Sequence, residues 1–277
     1  MPELPEVETI RRSLVGRVVG RTITGVEIYL PKAIKNLPEE EFARRLGGTT
    51  IRELGRRGKH LIIYLSSGDA LVIHLRMTGQ LLFLPADMRR HKHTSVVFLF
   101  ENGQALHFVD QRKFGCLHLV PAGEWAEVSS MREIGPEPLS DEFTLKYLIQ
   151  ALAGRSGRIK ALLLDQTLVA GIGNIYADES LFLAGIHPAR PASSLSGAEV
   201  ERLYRAIREV LAEGITHRGT TVRNYYDGEG KAGEFQERLA VYGRGNQPCP
   251  RCGTPVVRSR VAGRGTYICP NCQVVKP

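Results

Sequence analysis

Gly135-Pro136-Glu137-Pro138 separates two kinds of sequence in this chain of 277 residues. Its alternation of glycine and proline reads as a linker. Upstream, residues 5–15 carry Val7, Ile10 and Leu14 at helical spacing. Runs with strand character follow at 23–30, 60–65, 70–76, 96–100, 105–109 and 116–120. Turn residues separate several of them, as in Ser66-Ser67-Gly68-Asp69 and Glu101-Asn102-Gly103. That punctuation predicts an antiparallel sandwich or barrel, not βαβ units. Downstream the pattern turns helical, at 144–153, from 159, at 174–183, and beyond a Ser196-x-x-Glu199 capping box. Val200, Leu203, Ile207 and Leu211 line one face of that last helix. Residues 217–236, rich in glycine and tyrosine, show no period and read as a long loop.

An apolar share of 43% is enough for packed cores and argues against disorder. No apolar run is long enough to span a membrane, and the acidic start lacks a signal-peptide pattern. The expected location is the cytoplasm. The net charge of +8 points to a polyanionic partner, of which nucleic acid is the commonest. The charge is unevenly spread. From Tyr242 onward the chain has Arg244, Arg251, Arg258, Arg260, Arg264 and Lys276 but no acidic residue, which suits a phosphate-facing segment.

Four of the five cysteines lie in that same segment: Cys249, Cys252, Cys269 and Cys272. Two C-x2-C turns separated by 16 residues read as a zinc site, each turn offering two thiolates to one tetrahedral ion. Four thiolates leave no open position, so the expected ion is structural. Two disulfides are the alternative, which a reducing cytosol disfavours. Cys116, inside an apolar run, reads as an inert buried thiol.

Three further motifs each carry two readings. Met1-Pro2-Glu3-Leu4-Pro5-Glu6 places a secondary amine at the chain start once Met1 is removed. An α-amino group titrates near about 7.7–8.0, so a useful fraction is neutral at pH 7 and able to attack an electrophilic carbon. The same residues also suit the first turn of a helix. Gly171-Ile172-Gly173-Asn174-Ile175-Tyr176 joins two helices and offers a phosphate site or an ordinary turn. Gly55-Arg56-Arg57-Gly58-Lys59-His60 reads as a basic turn, either phosphate-holding or merely solvated. It lacks the residues of a P-loop, so no nucleotide cofactor is expected. Met77 and Phe114 read singly as core residues, and with their basic neighbours as fillers of a gap in a base stack.

Jointly, Pro2-Glu3-Leu4-Pro5-Glu6-Val7-Glu8-Thr9, the Gly171–Tyr176 turn and the four-cysteine tail resemble formamidopyrimidine-DNA glycosylase, over essentially the whole chain. The resemblance implies an α+β fold. It would comprise an N-terminal helix and β-sandwich at 1–134, a linker at 135–143 and a helix–two-turn–helix domain at 144–238. A lesion-recognition loop would lie at about 217–236 and a zinc-finger β-hairpin module at 239–277, with DNA in the cleft between. It implies a bacterial monomer that removes oxidised purines from damaged double-stranded DNA. It would then cut the strand by β,δ-elimination, with one structural Zn2+. By the same resemblance Pro2 is the nucleophile, Glu3 the acid–base residue and Glu6 a supporting acid. Lys59 lies close to the lesion, and His74, Lys160, Asn174, Tyr242 and Arg264 hold the backbone around the flipped nucleotide. Arg264 completes the catalytic set with Pro2, Glu3 and Lys59. Met77, Arg112 and Phe114 occupy the space left by the base, with Arg112 facing the orphaned partner. Leu4 favours this group over the sister glycosylase for oxidised pyrimidines, which typically has glycine there. A zinc-containing DNA-binding protein without catalysis is the reading from a different class; Pro2, Glu3 and Lys59 discriminate against it.

Overall fold

The computed structural model describes residues 1–124, 128–222 and 225–274. Lys276 and residues 223–224 of the long loop lie outside the described residues. The chain forms two compact units: Met1–Arg132 with His217–Glu234, and Glu133–Thr216 with Phe235–Pro277.

The first unit opens with α1 (Leu4–Val18). A reciprocal capping box between Glu3 and Glu6 and a proline in the first turn start it. Its buried stripe, Val7, Ile10, Leu14 and Val18, enters the core. Next come β1 (Ile23–Ile28), α2 (Glu39–Leu46), β2 (Ile51–Arg57), β3 (His60–Leu65) and β4 (Asp69–His74). Then follow β5 (Gly79–Pro85), β6 (Thr94–Phe100), β7 (Gln104–Asp110) and β8 (Cys116–Pro121). They make two antiparallel sheets, ordered β1-β6-β7-β5 and β2-β3-β4-β8. Alternation along β3 sends Leu61, Ile63 and Leu65 into the main core and Ile62 into a second cluster with Val72, Val128 and Met131.

Two strands were hidden in the sequence, and both are sheet edges. β2 carries Arg52, Glu53, Arg56 and Arg57 between its few buried positions, because an edge strand tolerates and benefits from charge. The basic turn expected at 55–60 is therefore corrected: Gly55, Arg56 and Arg57 are strand, His60 starts the next, and only Gly58 and Lys59 turn. β5 begins in glycine and ends in proline, which masked its alternation.

Residues 217–234, read with the helices from sequence, pack instead with the sandwich. Tyr225 joins the main core, and Phe83 N–H donates to Gly228 O at 2.9 Å. Neither a helix nor a strand occurs among the described residues of that segment.

The second unit contains α3 (Leu145–Leu152), α4 (Ile159–Leu164), α5 (Asn174–Ala184) and α6 (Gly197–Thr216), then β9 (Val257–Val261) and β10 (Arg264–Ile268). Thr144 caps α3, and Gly185 closes α5 in the left-handed conformation that glycine adopts without strain. Ser196 and Glu199 exchange backbone bonds as the capping box requires. Gly135 is tied into this unit: its N–H donates to Gln166 O at 2.8 Å, and an added Cβ would meet Thr167 O at 2.5 Å. Among the described residues no helix is long and apolar enough to cross a membrane.

Candidate active site

Pro2 is buried just before α1, while Met1 is 51% exposed and accessible to removal. The backbone after Pro2 is clamped. Glu3 N–H donates to Glu6 Oε2 and Thr220 N–H to Glu6 Oε1, both at 2.7 Å. One carboxylate thus joins the start of the chain to the 217–234 segment, using both oxygens as acceptors. Gly219, at φ +79, allows the approach: a Cβ there would lie 2.8 Å from Glu6 Oε1. Tyr225 donates its hydroxyl to Arg218 O at 3.1 Å, and burial pushes its pKa up. Behind this clamp, Glu8 takes guanidinium contacts from Arg11, Arg12 and Arg56 at 2.8, 2.8 and 3.2 Å.

Lys59 is buried in the β2–β3 turn. The adjacent His60 ring packs edge-on to His74 at 4.5 Å. Burial, then the neighbouring His60, Arg76 and Lys59 charges, push His74 well below its ordinary value, so it is neutral. Arg76 N–H donates to His74 Nδ1 at 2.9 Å, which leaves the proton on Nε2 as a donor for an anionic oxygen.

Met77, Arg112 and Phe114 come together in the first unit. Met77 is 45% and Phe114 54% exposed, which rules out the core reading. Arg112 donates to Met77 Sδ at 2.8 Å and lies 4.8 Å over the Phe114 ring. Asp110 ties together the β4–β5 and β7–β8 loops that carry them, accepting from Thr78 Oγ1 at 2.5 Å, Arg112 N–H at 3.1 Å and Gly115 N–H at 2.7 Å. Beside the trio, a cavity of about 1150 Å³ is lined by Thr78, Gln80, Arg90, His91, His93 and Gln111, among others. The sequence reading overlooked that basic loop, although Arg89-Arg90-His91-Lys92-His93 was its visible signal.

In the second unit Asn174 opens α5, and Arg264 is exposed at the start of β10 after a turn of Ala262 and Gly263 at positive φ. Asn174 Nδ2 donates to Gly265 O at 2.9 Å. Tyr242 lies edge-on to Tyr267 at 5.3 Å, and its N–H, with those of Ala240 and Val241, points at the buried Glu179 carboxylate. Burial pushes the Glu179 pKa up against those three bonds. Lys160 is fully buried, pairs with Asp178 at 2.7 Å and donates to Gly265 O and Thr266 Oγ1. Nothing local in the sequence marks the adjacent Asp178 and Glu179 as buried.

The four tail cysteines bring their sulfurs within 4.8 Å of one another. Separations of 3.4 Å for Cys252–Cys269 and 3.9 Å for Cys249–Cys272 are far too long for S–S bonds. They bracket the roughly 3.8 Å between thiolates that follows from Zn–S bonds of about 2.3 Å in a tetrahedron. The set therefore fits one structural zinc and rejects two disulfides. Cys116 is a buried free thiol, as expected.

Comparison with known proteins agrees along the chain. Residues 1–117 match the formamidopyrimidine-DNA glycosylase N-terminal domain, 134–225 the H2TH domain of the same enzymes, and 246–274 the zinc finger found in FPG and IleRS. A formamidopyrimidine-DNA glycosylase of Pelotomaculum thermopropionicum is 50% identical over 276 residues, covering 100% of both chains. The crystal structure of MutM (FPG) from Thermus thermophilus superposes with a TM-score of 0.91 at 45% identity, covering 100% of both chains. A Lactococcus lactis Fpg complex with DNA containing an abasic site gives 0.93 at 38% identity, covering 99% of this chain and 100% of that one.

Proposed function

The chain belongs to the formamidopyrimidine-DNA glycosylase family, and from that premise we propose how its own residues divide the work of base excision. The enzyme removes oxidised purines, 8-oxoguanine and formamidopyrimidines, from duplex DNA and then cleaves the strand at the resulting abasic site. It works as a monomer in the bacterial cytoplasm, on the DNA of the nucleoid. A base within a duplex shields its sugar carbon, so the damaged nucleotide is first turned out, at a cost of a few kcal/mol. Lys59, His74, Asn174, Tyr242 and Arg264 hold the flanking phosphates and sugar. Met77, Arg112 and Phe114 enter the vacated space, where stacking offsets what the extruded base lost.

Removal of Met1 frees the Pro2 nitrogen. That nitrogen attacks C1′ as the bond from C1′ to the base breaks, and a proton delivered at the base or sugar, with Glu3 as the relay, assists departure. The C1′–O4′ bond then opens, with a proton going to O4′, and the iminium so formed between the proline nitrogen and C1′ acidifies the C2′ hydrogens. Loss of one expels the 3′ phosphate in β-elimination, a second elimination expels the 5′ phosphate, and water returns the proline nitrogen. Zinc shapes the hairpin that carries Arg264 and takes no chemical part.

The observation that carries this reading is the Glu6 clamp, which fixes the residue after Pro2 and the 217–234 segment through one carboxylate. The test is borohydride reduction with a duplex bearing 8-oxoguanine opposite cytosine. A covalent adduct at Pro2 is expected. An adduct at a lysine, or undiminished trapping after acetylation of the terminal amine, overturns Pro2 as the nucleophile.

A further inference from the structure

Among the described residues β10 pairs with β9 along one edge only, so its other edge presents backbone groups that need partners. Side chains supply them. Gly265 O accepts from both Lys160 Nζ, at 3.1 Å, and Asn174 Nδ2, at 2.9 Å. Tyr267 N–H donates to Asp178 Oδ2 at 3.0 Å. Lys160 Nζ also donates to Thr266 Oγ1 at 2.8 Å, and that hydroxyl donates to Arg264 O at 3.1 Å. The remaining Asp178 oxygen lies 2.7 Å from Lys160 Nζ, with both side chains fully buried. Four consecutive residues, Arg264 to Tyr267, are thus held by α4 and α5 through one ion pair and its neighbours.

We propose that Lys160 and Asp178 are a positioning pair that docks β10 onto α5, so that Arg264 and Asn174 present their donors to the same stretch of DNA backbone. The inference rests on the reading of Arg264 and Asn174 as DNA-holding residues. A buried pair suits this task because it has one low-energy arrangement: displacing the strand would leave an ammonium and a carboxylate unpaired in the interior. It also assigns Asp178 a function that a phosphate-binding Lys160 would make harmful, since a carboxylate beside a phosphate site repels the ligand.

The sign of one substitution therefore decides. In the zinc-loaded full chain, Asp178→Asn is expected to weaken binding to a duplex with a tetrahydrofuran abasic-site analogue by about tenfold or more. Strand cleavage at saturating abasic DNA should stay within about twofold of wild type, so KM rises and kcat holds. The Tyr267 amide should exchange faster without DNA. Tighter or unchanged binding by Asp178→Asn overturns the proposal, as does an equal fall of affinity and saturating rate. Should Asp178→Asn not fold, Thr266→Val removes only the hydroxyl bridge and should weaken binding in the same way, with one zinc retained; unchanged affinity overturns the proposal. Arg264→Ala separates the two readings. If it leaves affinity intact, the DNA-holding assignment has failed; if it weakens binding while Asp178→Asn does not, the positioning pair has.

Discussion

Glu3, Glu6 and Glu8 follow Pro2 within six residues, yet their environments give them different work. Glu3 and Glu6 close the capping box, and Glu6 also takes the Thr220 N–H. Glu8 is a stabiliser. Burial pushes its pKa up, but hydrogen bonds from Arg11 and Arg12 and the charges of Arg11 and Arg56 outweigh this and hold it at about 2, below the ordinary 4.5. A depressed carboxylate contributes stability above its unfolded pKa and loses it as pH falls through the folded one. Glu8→Gln should therefore lower the melting temperature at pH 7, and the gap to wild type should close between about pH 4.5 and 2, as a thermal-melt series would record. These acids were legible because type and spacing announce a helix start. Asp178 and Glu179 were not, because burial depends on what α5 packs against.

At the scale of elements, the exposed trio rests on two loops whose backbone is held from below. Asp110 supports a turn with Lys113 at φ +59, and Arg76, just before Met77, sits at φ +54. Left-handed residues that are not glycine signal backbone held by its surroundings. Phe114→Ala removes a side chain that is 54% exposed. It should change folding stability by no more than about 0.5 kcal/mol. Affinity for lesion-containing duplex should fall by roughly tenfold to a hundredfold, the value of one aromatic–base stack. Calorimetry and fluorescence anisotropy on the same variant check both halves. The residues of this trio were visible in the sequence; their exposure was not, since Met and Phe alone point more readily to a core.

For the whole molecule, the sandwich and the zinc hairpin rest on different sources of stability. The sandwich has a continuous apolar core from α1 to β8. The hairpin region has only a small cluster, Phe182, Val241, Cys249, Val256 and Cys269, two of whose members are zinc ligands. Metal binding therefore supplies much of its folding energy. Chelation should abolish binding to abasic-site duplex while the sandwich retains a cooperative melt. DNA affinity that survives full zinc removal would show that the hairpin does not hold DNA.

The amino-acid order alone determined features whose evidence is local. They are the cysteine spacing, the proline with its glutamates, the glycine turn before Asn174, and the change from strand to helix character after Gly135. Short-range spacing sets these directly, through helix caps, turn geometry and metal coordination. Only the tertiary structure decided that 217–234 packs on the sandwich, that two charged or punctuated segments are edge strands, and that Lys160 faces a carboxylate. Each depends on contacts between residues far apart in the chain. There burial and pairing, rather than residue type, determine whether a lysine meets a phosphate or holds a strand.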